Sequence, residues 1–267
     1  MKHLLILLIL IITTNITWAH SDNKSLAERI AKDHSLVIVD SMARALLKEN
    51  FYAGSVYQQV WCRDLNTFIE TACEEYDLKE IRKAILNFFA FQQPNGEMVD
   101  GYEKKGMMDD GHLYYSETAP DLTGHKNTVE SDQETSLIQL ISKYILKTGD
   151  KSIFKECVDG ITVKDRMNKM IMYLLTYKYI KKYGLIYGMT TIDWGDVQPN
   201  TDDLVHINIY SRKAIDIYDN AMFIIALNYL SKVTDNPIDR KKYIKLKKSL
   251  ASNVRKYLWD KKNQKFI

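Results

Sequence analysis

Residues 182–203 read KYGLIYGMTTIDWGDVQPNTDD, and within them Asp193 and Asp196 flank Trp194 in a glycine-dotted stretch that ends near Pro199. An aromatic ring between two carboxylates suits sugar chemistry. The indole stacks on a pyranose face while a protonated carboxyl delivers its proton to a glycosidic oxygen. Inverting hydrolysis also needs a second carboxylate, roughly 6.5–9.5 Å from the first, to activate water. An acid beside Trp194 and near another carboxylate has two reasons for a raised pKa, desolvation and like-charge repulsion. The same residues also fit a plain loop in which Asp193 caps a turn and Trp194 fills a core.

Chemistry of this kind has to be held by a scaffold, and the flanking periodicity predicts helices. Apolar residues recur at helical spacing from Ser25 to about Asn50, with Asp40 and Ser41 between them, so that one long helix or two fit the pattern. Further helices are expected from near Trp61 to Cys73, Leu78 to Phe91, Thr128 to Lys147, Val163 to Lys182, Tyr218 to Val233 and Arg240 to Trp259. Gln92-Gln93-Pro94-Asn95-Gly96 is a stop and turn, and residues 96–126 read as a long, aromatic-rich loop. No alternating β-branched run is long enough to require a sheet. The expected fold class is all-α, with helices paired into hairpins. Acidic residues recur where alternate helices begin: Arg63-Asp64, Glu130-Ser131-Asp132 and Asp219-Asn220. Each is a good helix cap taken singly. Together they predict N-terminal ends that meet at one mouth, bordered by Tyr102, Tyr114 and Trp194 as stacking surfaces.

The 267-residue chain opens with Lys2 and His3, an apolar run Leu4 to Ile12 and a small-residue site at Thr17-Trp18-Ala19. That layout predicts a secretory signal peptide over 1–19, a mature domain over 20–267, and a secreted or periplasmic location. Nothing after residue 20 is apolar enough to cross a membrane. A net charge of +3 and a charged content of 27% imply neither a nucleic-acid nor an acidic-polymer partner. Cys62, Cys73 and Cys157 are odd in number and lack metal-ligand spacing, so no disulfide framework, metal or cofactor is expected. Asp109-Asp110-Gly111-His112 reads better as a turn than as a metal loop.

The elements QQVWCRD (58–64), QQPNGE (92–97), ESDQETSLIQLISKYILKTGD (130–150), GLIYGMTTIDWGD (184–196) and YDNAMFIIALNYL (218–230) occur in the order found in six-hairpin glycosidases. The chain resembles that superfamily, which includes glucoamylases, trehalases, bacterial α-L-rhamnosidases and debranching glucosidases. The resemblance implies an (α/α)6 toroid and an inverting hydrolase acting on an oligo- or polysaccharide. It implies that Trp61, Arg63 and Asp64 grip the sugar. Arg63 can hold a neighbouring carboxylate in a two-pronged pair, and the helix-start residues Asp132, Asp219 and Asn220 are expected at the same mouth. It places the general acid in the loop before the sixth helix, at Asp196 with Asp193 as the alternative. Seven expected helices against a toroid's twelve, and a general base that in the superfamily lies on a later hairpin, imply an incomplete toroid. Two other functions compete: a glycan-binding scaffold without turnover, and a polysaccharide lyase, for which His112, His125 and His206 are available.

Overall fold

A computed structural model describes residues 23–48, 58–107, 112–189 and 206–267. The expected signal peptide over 1–19, the Asp109–Gly111 stretch and the stretch with Asp193, Trp194 and Asp196 lie outside those residues. The chain divides into two compact units, Met1–Glu49 and Asn50–Ile267. In the first, a helix over 23–31 gives way to α1 (His34–Leu47) at Asp33, whose extended backbone breaks the helix. The Asp33 carboxylate then accepts the Ser35 N–H at 3.0 Å. Two helices therefore form, and the break falls at Asp33 rather than at Asp40–Ser41.

The second unit is helix-rich with little sheet. Its helices are α2 (Cys62–Glu75), α3 (Leu78–Phe89), α4 (Gln133–Thr148), α5 (Val163–Tyr173), α6 (Ile217–Val233) and α7 (Pro237–Tyr257). The α3 sequence shows the cause plainly. Asp77 caps its start by accepting the Lys79 N–H, and Ile81, Ala84, Ile85, Phe88 and Phe89 fall on one buried stripe. Burying each of the larger side chains contributes about 1.5–3 kcal/mol. Central α4 is different, for every residue from Gln133 to Ser142 is buried, polar ones included. It stops at Gly149, whose φ of 75° is the left-handed helix-ending conformation. Asn236 caps α7 ahead of Pro237 at its first position. Among the described residues no helix is long and apolar enough to cross a membrane.

The 96–126 segment is not an irregular loop. β2 (Gly101–Lys104), β3 (His112–Tyr114) and β4 (Leu122–Lys126) join β1 (Val60–Trp61) in an antiparallel four-stranded sheet of order β1-β2-β4-β3. The strands are too short, and too rich in glycine, to alternate visibly. Their register nonetheless decides the placement of the aromatics. Tyr102 pairs with Val60 and Gly124, whereas Trp61 pairs with Gly101 and Gly101 with His125, so the two sets point to opposite faces. On one face Tyr102 is buried against Phe88, its hydroxyl donating to the Ala84 carbonyl at 3.1 Å. Tyr102 is thus a core residue and not a stacking surface, which corrects the sequence-based expectation. Tyr114, on the same face, is half-buried and packs on the core. On the other face Trp61 and His125 meet edge-on, ring centres 5.5 Å apart.

Helix α5 also ends earlier than expected. It widens into a π turn, Leu174–Lys178, and the chain then folds back as the ribbon β7 (Tyr179–Ile180) and β8 (Leu185–Ile186). A second ribbon pairs β9 (Gly188–Met189) with β10 (Lys213–Ala214). Two-stranded ribbons also pair β5 (Cys157–Val158) with β6 (Ile161–Thr162) and β11 (Trp259–Asp260) with β12 (Lys265–Phe266).

The turn at Gly96 fixes α5 against the α3–β2 connection. Its φ is +100°, and a Cβ there would lie 2.3 Å from the Lys169 carbonyl oxygen. Gly96→Ala is therefore expected to lose more than about 1 kcal/mol in chemical denaturation, since both the backbone region and the space exclude a side chain. Unchanged stability would show that this turn does not constrain α5.

Candidate functional site

The sequence Val60-Trp61-Cys62-Arg63-Asp64 passes from strand into helix, so Arg63 and Asp64 lie in the first turn of α2. The Arg63 guanidinium grips Asp132 in a two-pronged pair, Nε to Oδ2 and Nη2 to Oδ1, both 2.8 Å. Its Nη2 also lies 2.9 Å from Glu130 Oε2. From α6, the Tyr218 hydroxyl donates to Asp132 Oδ2 at 2.9 Å. One carboxylate thus ties together the N-terminal ends of α2, α4 and α6. Although Asp132 occupies the N-cap position of α4, its side chain makes no capping bond. Helix capping does not explain it. Burial would lower the Arg63 pKa, but the hydrogen bond and charge of Asp132, with Glu130, outweigh that and raise it. Removing one member of such a buried pair costs about 3–5 kcal/mol, because the other charge stays buried.

Asp64 stands beside this junction. It is half-buried, and among the described residues no side chain donates a hydrogen bond to its carboxylate. Desolvation raises its pKa, opposed by Arg63 and reinforced by Asp132. A carboxyl of this kind can accept hydroxyl hydrogens or hold a proton.

Asp219 is buried one residue beyond Tyr218. It does not cap α6 either, since Asp216 Oδ1 accepts the Asp219 N–H at 2.8 Å. Burial is the main cause of the raised Asp216 pKa, and the Asp219 N–H is among the groups that oppose it. Gly188 packs against Asp219, and a Cβ there would sit 1.9 Å from Asp219 Oδ2 and 3.1 Å from Ser131 Oγ. The neighbouring Asn220 is fully buried. Its Oδ1 accepts the Ile186 N–H at 3.0 Å, and its Nδ2 donates to the Ile186 and Asp216 carbonyls at 2.9 and 2.8 Å. Asn220 therefore pins β8 to α6, and both of its amide N–H groups are spent on backbone carbonyls.

A second polar layer lies under the junction, and the sequence reading passed over it. Met98 is held by its N–H to Glu134 Oε1 at 2.8 Å and by its carbonyl to Lys126 Nζ at 2.6 Å. Asp100 accepts the Asn127 N–H through Oδ2, while its carbonyl accepts the Cys62 N–H at 2.7 Å. Burial, then the nearby Glu130, pushes the Asp100 carboxyl well above its ordinary value, against the pull of Lys126. Glu134 is raised by burial too, and Lys126 and the Met98 N–H offset part of it. The Cys62 thiol is raised well above its usual value by burial and by Asp132, Asp100 and Glu134, so it stays an unreactive thiol. Asp100 sits between Val99 and Gly101 in the stretch read as loop, and Glu134 was hidden in the helical run; an acid inside an otherwise apolar pattern was the available signal.

Of the residues expected at the mouth, Arg63, Asp64, Asp132 and Asp219 cluster, with Trp61 at the start of α2. Tyr102 and Asn220 serve the core. His112 and His206 stack with ring centres 4.3 Å apart, away from His125, which meets Trp61 instead. Among the described residues no group of three or more His, Cys, Asp or Glu side chains could hold a metal ion. A scan against protein-family models finds no match for this chain, and a search of curated proteins finds no relative.

The protonation of Asp100 has a stability consequence. An unfolded aspartate releases its proton near 3.8, but folded Asp100 keeps it to a higher pH. Between those two values the folded chain binds more protons, so stability falls as the pH rises through that window. Asp100→Asn imitates the protonated form. Thermal melts are expected to show it more stable than the parent chain at about pH 8 and nearly equal at about pH 3.5. Equal stability at both would show that Asp100 is charged in the fold.

Proposed function

We propose that the chain is an exported glycoside hydrolase of the six-hairpin type. It cleaves a glycosidic bond of an oligo- or polysaccharide with inversion, and its helices in 58–267 form part of an (α/α)6 toroid. One observation supports this reading most. The Arg63–Asp132–Tyr218 junction brings the starts of three alternate helices together beside a half-buried carboxyl, Asp64, that lacks a side-chain donor. Helices that only needed capping would not spend Asp132 on a guanidinium from another helix.

In this reading Arg63 fixes Asp132, and Asp64 accepts hydrogen bonds from the hydroxyls of the bound sugar. Trp61 offers an aromatic face at the start of the same helix, and the buried Asp219 supports the floor from α6. Asp196 is the general acid, Asp193 the alternative, and Trp194 shapes their surroundings. Only a neutral carboxyl can protonate the leaving oxygen, so the acid must keep its proton near neutral pH, and a second carboxylate activates water on the opposite face of the sugar.

Asp64→Ala is expected to abolish oligosaccharide binding in calorimetric titration while leaving the melting temperature near that of the parent, since the Asp64 carboxylate supports no other described side chain. Asp196→Asn is expected to lower turnover of a natural glycoside by about 10²–10⁴-fold, and by less on a substrate with a good leaving group. Full turnover in both Asp196→Asn and Asp193→Asn would remove the catalytic assignment of that loop. Tight glycan binding with no turnover in the parent chain would mark a binding scaffold instead.

A further inference from the structure

The π turn that ends α5 carries Lys178, whose ammonium meets an aromatic ring and no carboxylate among the described residues. Extra-wide turns of this kind interrupt the regular ladder and are found mostly at functional positions. Among the described residues the Lys178 ammonium makes no hydrogen bond and no ion pair. It lies over the ring of Tyr187, 5.3 Å from the ring centre. Lys213, reaching in from β10, lies over the same ring at 5.2 Å and likewise has no hydrogen bond or ion pair among the described residues. Tyr187 is fixed from behind, its N–H donating to the Lys178 carbonyl at 3.0 Å. The residue after it is Gly188, which abuts Asp219 and Ser131. The two ammonium groups therefore flank the junction of α4 and α6 rather than a remote surface.

We propose that Lys178 and Lys213, held over Tyr187, form a subsite for an anionic group carried by the bound sugar, a uronic-acid carboxylate or a sulfate ester. A single cation over an aromatic face is self-sufficient, gaining about 0.5–1 kcal/mol where exposed. A second cation brings two ammonium groups, neither in an ion pair among the described residues, to one ring, and an anion pairs with both. Lys178 also lies at a helix C-terminus, where a cation complements the dipole, but it donates to no carbonyl there. Burial lowers the Lys178 pKa and Lys126 lowers it further, while Glu134, Glu97 and Asp219 oppose that shift. Of these, Lys126 already spends its ammonium on the Met98 carbonyl at 2.6 Å and faces Glu97 at 3.6 Å. The Asp64–Asp132 side of the site meets neutral hydroxyls, so the anionic substituent points the other way, towards β9 and β10.

The proposal rests on the glycan reading for the sugar scaffold and on the lysine geometry alone for the charge. Calorimetric titration of the full chain at low ionic strength, with a uronic-acid-terminated oligosaccharide, its neutral counterpart and inorganic sulfate, separates the two. The acidic oligosaccharide is expected to bind about tenfold more tightly than the neutral one. That preference should vanish in Lys178→Gln and in Lys213→Gln. Equal affinities in the parent chain, or a preference that survives both substitutions, overturns the proposal. Sulfate binding that depends on Lys178, without binding of either sugar, sustains the anion subsite and removes the glycan reading. No binding of any of the three removes both. Lys178→Gln should melt at or above the parent temperature, because it relieves desolvation and the repulsion from Lys126; a lower value marks Lys178 as a structural cation and overturns the assignment.

Discussion

A single guanidinium fixes the geometry of the second unit. The planar fork of Arg63 matches the carboxylate of Asp132 at two points, and the Nη2 of that pair also reaches Glu130. A lysine could supply the charge but not the orientation. Because the fork belongs to α2 and the carboxylate to α4, their angular relation is set by directional bonds as well as by packing. Tyr218 brings α6 into the same arrangement with one hydroxyl. Packing of apolar faces would hold these helices close in many relative rotations. The junction selects one.

That selection has an electrostatic cost, and it explains the character of the surroundings. Asp64, Asp100, Glu134 and Asp216 all have raised pKa values, and desolvation is the first cause for each. Arg63 and Lys126 lower some of these values but do not cancel the effect of burial, which favours the neutral form of each acid. An acid-rich interior of this sort is poorly suited to core packing alone.

Much of this was legible in the sequence, and the misses have definite causes. Helices α3, α6 and α7 fall within a few residues of their expected spans, because stripe, cap and stop signals coincide. The grouping of Arg63, Asp132 and Asp219 was legible from acids recurring at alternate helix starts. The sheet was not, since strands of two to five residues show no periodicity. Tyr102 was misplaced for the same reason: its side depends on register with Val60 and Gly124, which only the paired structure reveals. Asn220 looked available because its polarity was visible, but the Ile186 backbone that consumes it was not. The π turn left no trace in the helical pattern of 163–182, because one inserted residue hardly disturbs the apolar spacing.

The continuous burial of α4 bears on how the site breathes. A helix with a solvent-facing side can fray or tilt while its neighbours stay in place, but residues 133–142 have no such side. Separating Asp132 from Arg63 means drawing α4 out of contact with the helices around it, which is the same event as dismantling the unit. Amide protons in this stretch therefore exchange with solvent only through global opening, and their protection equals the full unfolding free energy. The floor of the site is as rigid as the protein is stable.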